Sequence, residues 1–343
     1  MKYNLSIKCI ETALPKNSFK ISSLKKKNPT WDIKKIIDKT GIEKIWYTKK
    51  NQTALDLGFE ASKKVLKKID KKTIDTLIYV TQSPEYFLPS SACILQYKLG
   101  LNNNVKALDI NLGCSGFVYA LFVACSLVQN KMSKNILIVW ADTYTKYIED
   151  SDRTNKTIFS DGASATLVSR SKKKCLGNFL MGTDGSGYKD LIVENGASRT
   201  EFKNDKKVNL FMNGAKIFMF TIANIPKNIE KLLTISKIKK KNIKTFFFHQ
   251  GSKVILNSLK DSLKISNDQL YNNLRFLGNT VSSTIPFSLK QANKEKKIKN
   301  NDLLVLSGFG VGLSWGSCII KWNNLKWAKY LIWVYKFCFH KKI

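Results

Sequence analysis

Asp109-Ile-Asn-Leu-Gly113-Cys114-Ser115-Gly116, continued by Phe117-Val-Tyr-Ala-Leu-Phe-Val-Ala124, is the stretch whose reading decides the fold. Val105 to Ile110 is a short apolar run that reads as a buried strand, and Gly113 permits a sharp turn after it. From Ser115 to about Gln129 apolar residues occupy every side of a helical wheel, the pattern of a helix buried all round. Cys114 is therefore expected between a buried strand and the N-terminus of a buried helix. Unpaired backbone N–H groups and the positive end of the helix dipole lie there, and both favour thiolate. The dipole is worth at most about 2 kcal/mol, enough to bring a thiol of about 8.5 close to neutrality. Without a partner base, such a cysteine is core packing.

The flanking segments alternate in the same way. Residues 4 to 13 read as a strand, 15 to 29 as a lysine-rich surface segment, and Trp31 to Lys39 as a helix ending at Thr40-Gly41. Ala54 to Ile69 has amphipathic helical spacing, Thr76 to Thr81 is a β-branched strand, and Pro89-Ser-Ser91 opens a helix through Leu99. Asn135 to Ala141 follows as a strand, and a turn at Asp161-Gly162 feeds another ending at Val168. Continuous apolar strands alternating with helices predict an α/β layered fold. Residues 170 to 209 read as loop-rich, with a flexible turn at Asp184-Gly-Ser-Gly187. Ala215 to Leu233 is helical, with Pro226 expected to kink or restart it. A second alternation then runs through strand Lys244 to Phe248, helix Lys253 to Leu263, helix Ile285 to Gln291, and two final strands, Leu303 to Ser307 and Leu313 to Lys321. The chain passes twice through a similar unit, giving halves at 1–170 and 171–322 and a tail at 323–343.

Composition narrows the function classes. The 343 residues are 43% hydrophobic with only six prolines, which argues for a globular chain. The net charge of +33 comes from lysines scattered over nearly every helix and loop. No stripe of arginines and aromatics marks a groove-reading face, so nucleic acid is not the expected partner. Such a surface attracts an acidic partner, such as a carrier protein, by long-range steering. Seven cysteines without a CxxC pair and two histidines give neither a zinc pattern nor a disulfide framework, so a reducing cytoplasm is the expected compartment. Met1 to Lys8 has no apolar core of a signal peptide, and no apolar run approaches a transmembrane length. Trp327 to Phe339 is aromatic, apolar and basic, expected to dock on the protein body or lie on a membrane surface.

The partners of Cys114 come from the second half. His249 ends the strand Thr245-Phe-Phe-Phe-His249 and is the only histidine inside the α/β body. A cysteine nucleophile needs a base or a hydrogen-bonding imidazole. Asn279, in Gly278-Asn-Thr-Val-Ser-Ser-Thr-Ile-Pro286, is either an ordinary turn asparagine or a side-chain donor that completes an oxyanion hole with His249. Gly308-Phe-Gly-Val-Gly312 superficially suggests a dinucleotide fingerprint, but two strands flank it and no helix follows. Its glycines instead permit close backbone approach to the site, and an exposed N–H there is a second oxyanion donor.

Taken in order, these motifs resemble the ketoacyl-acyl carrier protein synthase III family of the thiolase-like superfamily. The resemblance runs through Thr40-Gly-Ile42, Leu88-Pro-Ser-Ser-Ala-Cys93, Gly113-Cys114-Ser-Gly116, Asp152-Arg153, Phe159-Ser-Asp-Gly-Ala163, Phe248-His-Gln250, Gly278-Asn-Thr280 and Gly308 to Gly316, from about residue 3 to 322. It implies a five-layered αβαβα fold of two thiolase-like halves, usually a homodimer. It implies acyl transfer to Cys114, then decarboxylation of a malonyl thioester and Claisen attack on the acyl-enzyme. His249 and Asn279 would hold the malonyl thioester oxygen, and the backbone N–H groups of Cys114 and Val311 the acyl oxyanion. Phe87 and Leu88 would cap the acyl pocket, often across the dimer interface, and Arg153, Gly214, Ser252 and Phe309 would contact substrate. No metal or cofactor is implied; the substrates are acyl-coenzyme A or acyl carrier protein thioesters.

The sequence departs from the family where coenzyme A is usually held. Glu43-Lys-Ile-Trp46 lacks an expected arginine, and Lys35, Ala215 and Ser252 stand where an indole and two asparagines are usual. Arg153 and Lys39 remain as candidate adenine or phosphate contacts, and Lys253 as a contact for an acidic carrier. A second enzyme reading keeps the Cys–His–Asn site but transfers the acyl group to an alcohol or amine. A third, from another class, is a basic nucleic-acid-binding protein that reuses the fold.

Overall fold

The computed structural model describes residues 1–200 and 208–323. The aromatic tail from Trp327 to Phe339 lies outside them.

Two sheets carry the chain. The first contains β1 (Leu5–Ala13), and beside it β2 (Asn17–Lys20) and β3 (Lys44–Tyr47) form a separate antiparallel ribbon. β4 (Thr76–Val80), β5 (Lys106–Ile110), β6 (Asn135–Asp142) and β7 (Gly162–Arg170) complete the first sheet, in the order β1-β7-β6-β4-β5. β8 (Leu176–Thr183) belongs to the second sheet, and β9 (Leu191–Val193) and β10 (Leu210–Met212) pair as a small ribbon. β11 (Thr245–Phe248), β12 (Leu303–Gly310) and β13 (Ser314–Lys321) finish the second sheet, whose order is β11-β12-β13-β8. Reversed, that order is β8-β13-β12-β11, the counterpart of β1-β7-β6-β4. In both sheets two antiparallel pairings precede one parallel pairing. The architecture is therefore two similar α/β halves.

Five layers follow from where the helices sit. Gly116–Gln129 packs on β4, β6 and β7 of one sheet and on β12 and β13 of the other, while Thr284–Lys294 lies between β1 and β11. Helices Ala54–Leu66 and Ser91–Leu99 cover the outer face of the first sheet; Gly214–Ser236 and Lys253–Leu263 cover that of the second. A helix between two sheets must be apolar on opposite faces, which explains the continuous hydrophobic run after Cys114. Phe117, Val118, Leu121 and Val128 are fully buried, and each large apolar side chain contributes roughly 1.5–3 kcal/mol. Phe122, at the flank of the layer, stays 40% exposed and packs edge-on against Phe179.

Local chemistry sets the ends of the outer helices. Thr53 and Asp56 form a capping box at the start of Ala54–Leu66, and Gly41 and Gly100 close their helices in the left-handed conformation.

Four expectations change. The surface segment 15–29 contains β2, and the region taken as loop-rich contains β8, an edge strand whose two glycines and asparagine mask its alternation. Asp184 caps a 3-10 turn, Gly185–Asp190, instead of a flexible loop. Pro226 does not restart its helix: Gly214–Ser236 is continuous, held by buried Ile225, Ile229, Leu232 and Leu233 against the second sheet. Tertiary packing there outweighs the roughly 3 kcal/mol cost of an interior proline.

Candidate active site

Cys114 follows β5 through a turn closed by the Gly116 N–H donating to the Gly113 carbonyl, 2.8 Å. The helix begins at Gly116, so Cys114 lies two residues ahead of its first turn. A Cβ on Gly113 would stand 2.4 Å from Gln82 Oε1 and 3.0 Å from Val311 Cγ1, so the turn packs closely against both halves. From the other half, β12 presses its backbone onto the cysteine: a Cβ on Gly310 would lie 2.9 Å from Cys114 Sγ. The backbone N–H groups of Val311 and of Cys114 itself both point at the sulfur.

His249 leaves the sheet at the end of β11, its N–H donating to the Ser307 carbonyl at 2.8 Å. Its Nδ1 lies 2.8 Å from Thr284 Oγ1, so the Nε2 edge remains for the cavity it lines. The Phe309 ring stands edge-on to the imidazole, centroids 5.8 Å apart. Asn279 is fixed by its backbone, paired with Ile158 and Ser160, and by its side chain, whose Oδ1 accepts the Val281 N–H at 2.9 Å. Among the described residues no group takes the Asn279 Nδ2 donor. Val281 has φ 52°, a left-handed conformation that costs an L-residue roughly 1–2 kcal/mol.

Cys114, His249, Asn279 and Phe309 meet on one cavity of about 900 Å³. All four are buried, at 5%, 3%, 4% and 2% exposure. Arg153, Gly214 and Ser252 line the same cavity, with Lys35, Lys39 and Ala215, so three of the departing positions, Lys35, Ala215 and Ser252, face it, while Glu43 lines a neighbouring cavity. The Ser252 hydroxyl also caps helix Lys253–Leu263, accepting from the Ile255 N–H at 3.4 Å. Phe87 and Leu88 do not line this cavity within one chain; they are 70% and 82% exposed. Among the described residues no group of His, Cys, Asp and Glu is arranged to hold a metal ion. No described helix is long and apolar enough to cross a membrane.

The electrostatics correct one expectation. Burial, with the Asp142 carboxylate adding to it, pushes the Cys114 thiol up to about 12, although the Val311 and Cys114 N–H groups favour thiolate. Desolvation outweighs the helix terminus because the sulfur lies outside the first turn, where the dipole fades. Burial likewise pushes His249 down to about 3, against the opposing pull of the Val281 carbonyl. The resting site is a neutral thiol beside a neutral imidazole.

Sequence reasoning passed over Thr284, Val281 and Asp142. A signal existed: Thr280 to Thr284 is a polar run that is nonetheless fully buried, and buried hydroxyls need partners.

The comparisons agree with this geometry. The family pattern described as 3-Oxoacyl-[acyl-carrier-protein (ACP)] synthase III matches residues 108–185, and its C-terminal counterpart matches 233–322. A beta-ketoacyl-[acyl-carrier-protein] synthase III of Clostridium tetani is 34% identical over 313 residues, covering 85% of this chain and 93% of that protein. One from Caldanaerobacter subterraneus is 34% identical over 310 residues, covering 86% and 93%. A crystal structure of a 3-oxoacyl-(acyl-carrier-protein) synthase III superposes with a TM-score of 0.91 at 35% identity, covering 93% of this chain and all of that one. Fold and site thus define a thiolase-like, acyl-transferring condensing enzyme. The chain belongs to the 3-oxoacyl-[acyl-carrier-protein] synthase III family.

Proposed function

We propose that this chain condenses an acyl thioester with a malonyl thioester carried by acyl carrier protein, through an acyl-Cys114 intermediate. The observation that carries the reading is the convergence of Cys114, His249 and Asn279, from separate segments of both halves, on one cavity. In the first step Cys114 Sγ attacks the thioester carbonyl and the carrier thiol departs. The proton lost by Cys114 is delivered to the departing sulfur, so the buried imidazole need not become charged. The Cys114 and Val311 N–H groups receive the tetrahedral oxyanion.

In the second step the malonyl carboxylate leaves as carbon dioxide, and its electron pair forms an enolate whose oxygen is held by two donors. Asn279 Nδ2 is one, because Oδ1 is already taken by Val281. His249 is the other, through Nε2–H in the tautomer that carries its proton on the cavity side, with Nδ1 2.8 Å from Thr284 Oγ1. A neutral histidine suits this role. The enolate carbon then attacks the acyl-Cys114 carbonyl, the Cys114 thiolate departs as the ketoacyl thioester forms, and a proton from solvent restores the thiol.

Lys35, Lys39 and Arg153 line the cavity and supply cationic contacts for a phosphorylated thioester arm. Lys253, on the neighbouring surface, adds attraction for an acidic carrier. The exposed Tyr86, Phe87 and Leu88 support a homodimer in which this segment caps the partner's acyl pocket. Intact-mass spectrometry with a panel of acyl-coenzyme A and acyl-carrier thioesters tests the reading. Wild type gains the acyl mass and then releases carbon dioxide from malonyl-carrier; Cys114→Ala gains nothing. Acylation without malonyl-dependent carbon dioxide release would instead assign transfer to an alcohol or amine.

A further inference from the structure

Asp142, at the end of β6, is a fully buried carboxylate that neither step above uses. Its two oxygens face opposite halves of the molecule. Oδ1 accepts from the Gln82 N–H at 2.8 Å and the Thr81 hydroxyl at 3.4 Å, both in the first half. Among the described residues Oδ2 accepts only from Ser282 in the second half, from its N–H at 3.3 Å and from its hydroxyl in a short contact.

Ser282 directly follows Val281, whose left-handed backbone is unfavourable for a β-branched side chain. That residue orients both donors of the cavity. Its N–H fixes Asn279 Oδ1 at 2.9 Å, and its carbonyl accepts the Thr284 hydroxyl at 3.3 Å, the same hydroxyl that stands 2.8 Å from His249 Nδ1. Rotation of Val281 toward an ordinary conformation would turn the Asn279 amide and release the Thr284 contact together. A strained conformation persists only where its surroundings over-determine it.

We propose that Asp142 is a positioning residue for the His249–Asn279 pair, acting through Ser282 on the Val281 turn. It touches no reacting atom. The inference rests on the proposed decarboxylative condensation and assigns the Asp142–Ser282 contact to its second step. Acyl transfer to Cys114 uses the Val311 and Cys114 N–H groups, which Ser282 does not hold, so the two steps separate.

Ser282→Ala tests it by removing one of the two bonds while leaving the backbone N–H on Oδ2. Cys114 acylation is followed by intact mass, and carbon dioxide release from malonyl-carrier is followed on the pre-acylated enzyme. A misplacement of about 1 Å costs roughly 10²-fold, so decarboxylation should fall by about 10–10²-fold while acylation changes by less than about threefold. Ser282→Thr, which retains a hydroxyl, should restore decarboxylation to within about fivefold of wild type. Equal losses in both steps, no loss in either, or a threonine variant as impaired as alanine at unchanged thermal stability would overturn the assignment. A wild type that acylates Cys114 but releases no carbon dioxide would overturn the functional reading itself, and this inference with it.

Discussion

The resting state of Cys114 is open to direct chemical test, because burial and the helix terminus predict opposite reactivities. Burial places the thiol at about 12, against 9.0 for an ordinary cysteine. Three pH units separate the two, so the thiolate fraction at neutral pH is about 10³-fold smaller than that of an unperturbed thiol. His249, driven to about 3, cannot form a resting imidazolium partner above pH 4. Alkylation by iodoacetamide, read by peptide mass spectrometry between pH 6 and 9, should therefore rise about tenfold per pH unit at Cys114. The exposed Cys93 serves as an internal reference in the same digest. His249→Ala should leave the slope unchanged, since no proton leaves the thiol for the imidazole in the resting state. A plateau at Cys114 between pH 6 and 8, abolished in His249→Ala, would mean a thiolate–imidazolium pair and would refute the neutral resting site.

Asn279→Ala removes one enolate donor; carbon dioxide release should fall by about 10²–10³ while acylation of Cys114 persists, measured on separated half-reactions. Gly310→Ala places a Cβ within 2.9 Å of Cys114 Sγ, so acylation should fall at least about 10²-fold and the melting temperature should drop, as stopped-flow and calorimetry would read. The pH dependence of stability carries a further prediction with two signs. His249 is depressed to about 3, so its contribution is intact above about 6.5 and is lost as pH falls from there toward 3. Asp142 is raised to about 7, burial outweighing its Ser282 and Gln82 hydrogen bonds, so its penalty is present above 7 and is relieved as pH falls toward 3.8. The two nearly cancel between about 6.5 and 4. Asp142→Asn removes the compensation and should lose up to about 1.4 kcal/mol per pH unit relative to wild type in that window, by urea unfolding. Parallel curves for the two proteins would contradict it.

What was legible in the sequence was legible for chemical reasons. Cys114, His249 and Asn279 each sit at a strand end or turn, where the polypeptide can present one polar group to a cavity, and few residue types serve acyl transfer. The layered fold showed because the helix after Cys114 is apolar on two faces, as only a middle layer requires. What stayed hidden was set by tertiary contacts. The desolvation of Cys114 depends on β12, some two hundred residues further on, and cannot be read from the dipole of its own helix. β8 lacks a clean alternation, and Pro226 is tolerated because its helix is clamped against a sheet. Phe87 and Leu88, expected at the acyl pocket, are exposed in this chain and lie away from the cavity.

The glycine run Gly308-Phe-Gly-Val-Gly312 shows how a motif acquires meaning from its element. Taken as a loop it resembles a phosphate cradle, but Gly308 to Gly310 lie within β12, where side chains alternate between faces. Gly308 and Gly310 therefore share a face, and that face meets the nucleophile turn. A Cβ at Gly308 would stand 2.6 Å from the Cys114 carbonyl oxygen, and one at Gly310 would meet the sulfur. Phe309, between them, points to the other side and packs against Phe248 and His249. One strand thus brings bare backbone to the cysteine and an aromatic wall to the histidine, with Val311 just past its end aiming an N–H at the sulfur. The spacing of two follows from the pleat of a strand that joins the halves at the reacting atoms.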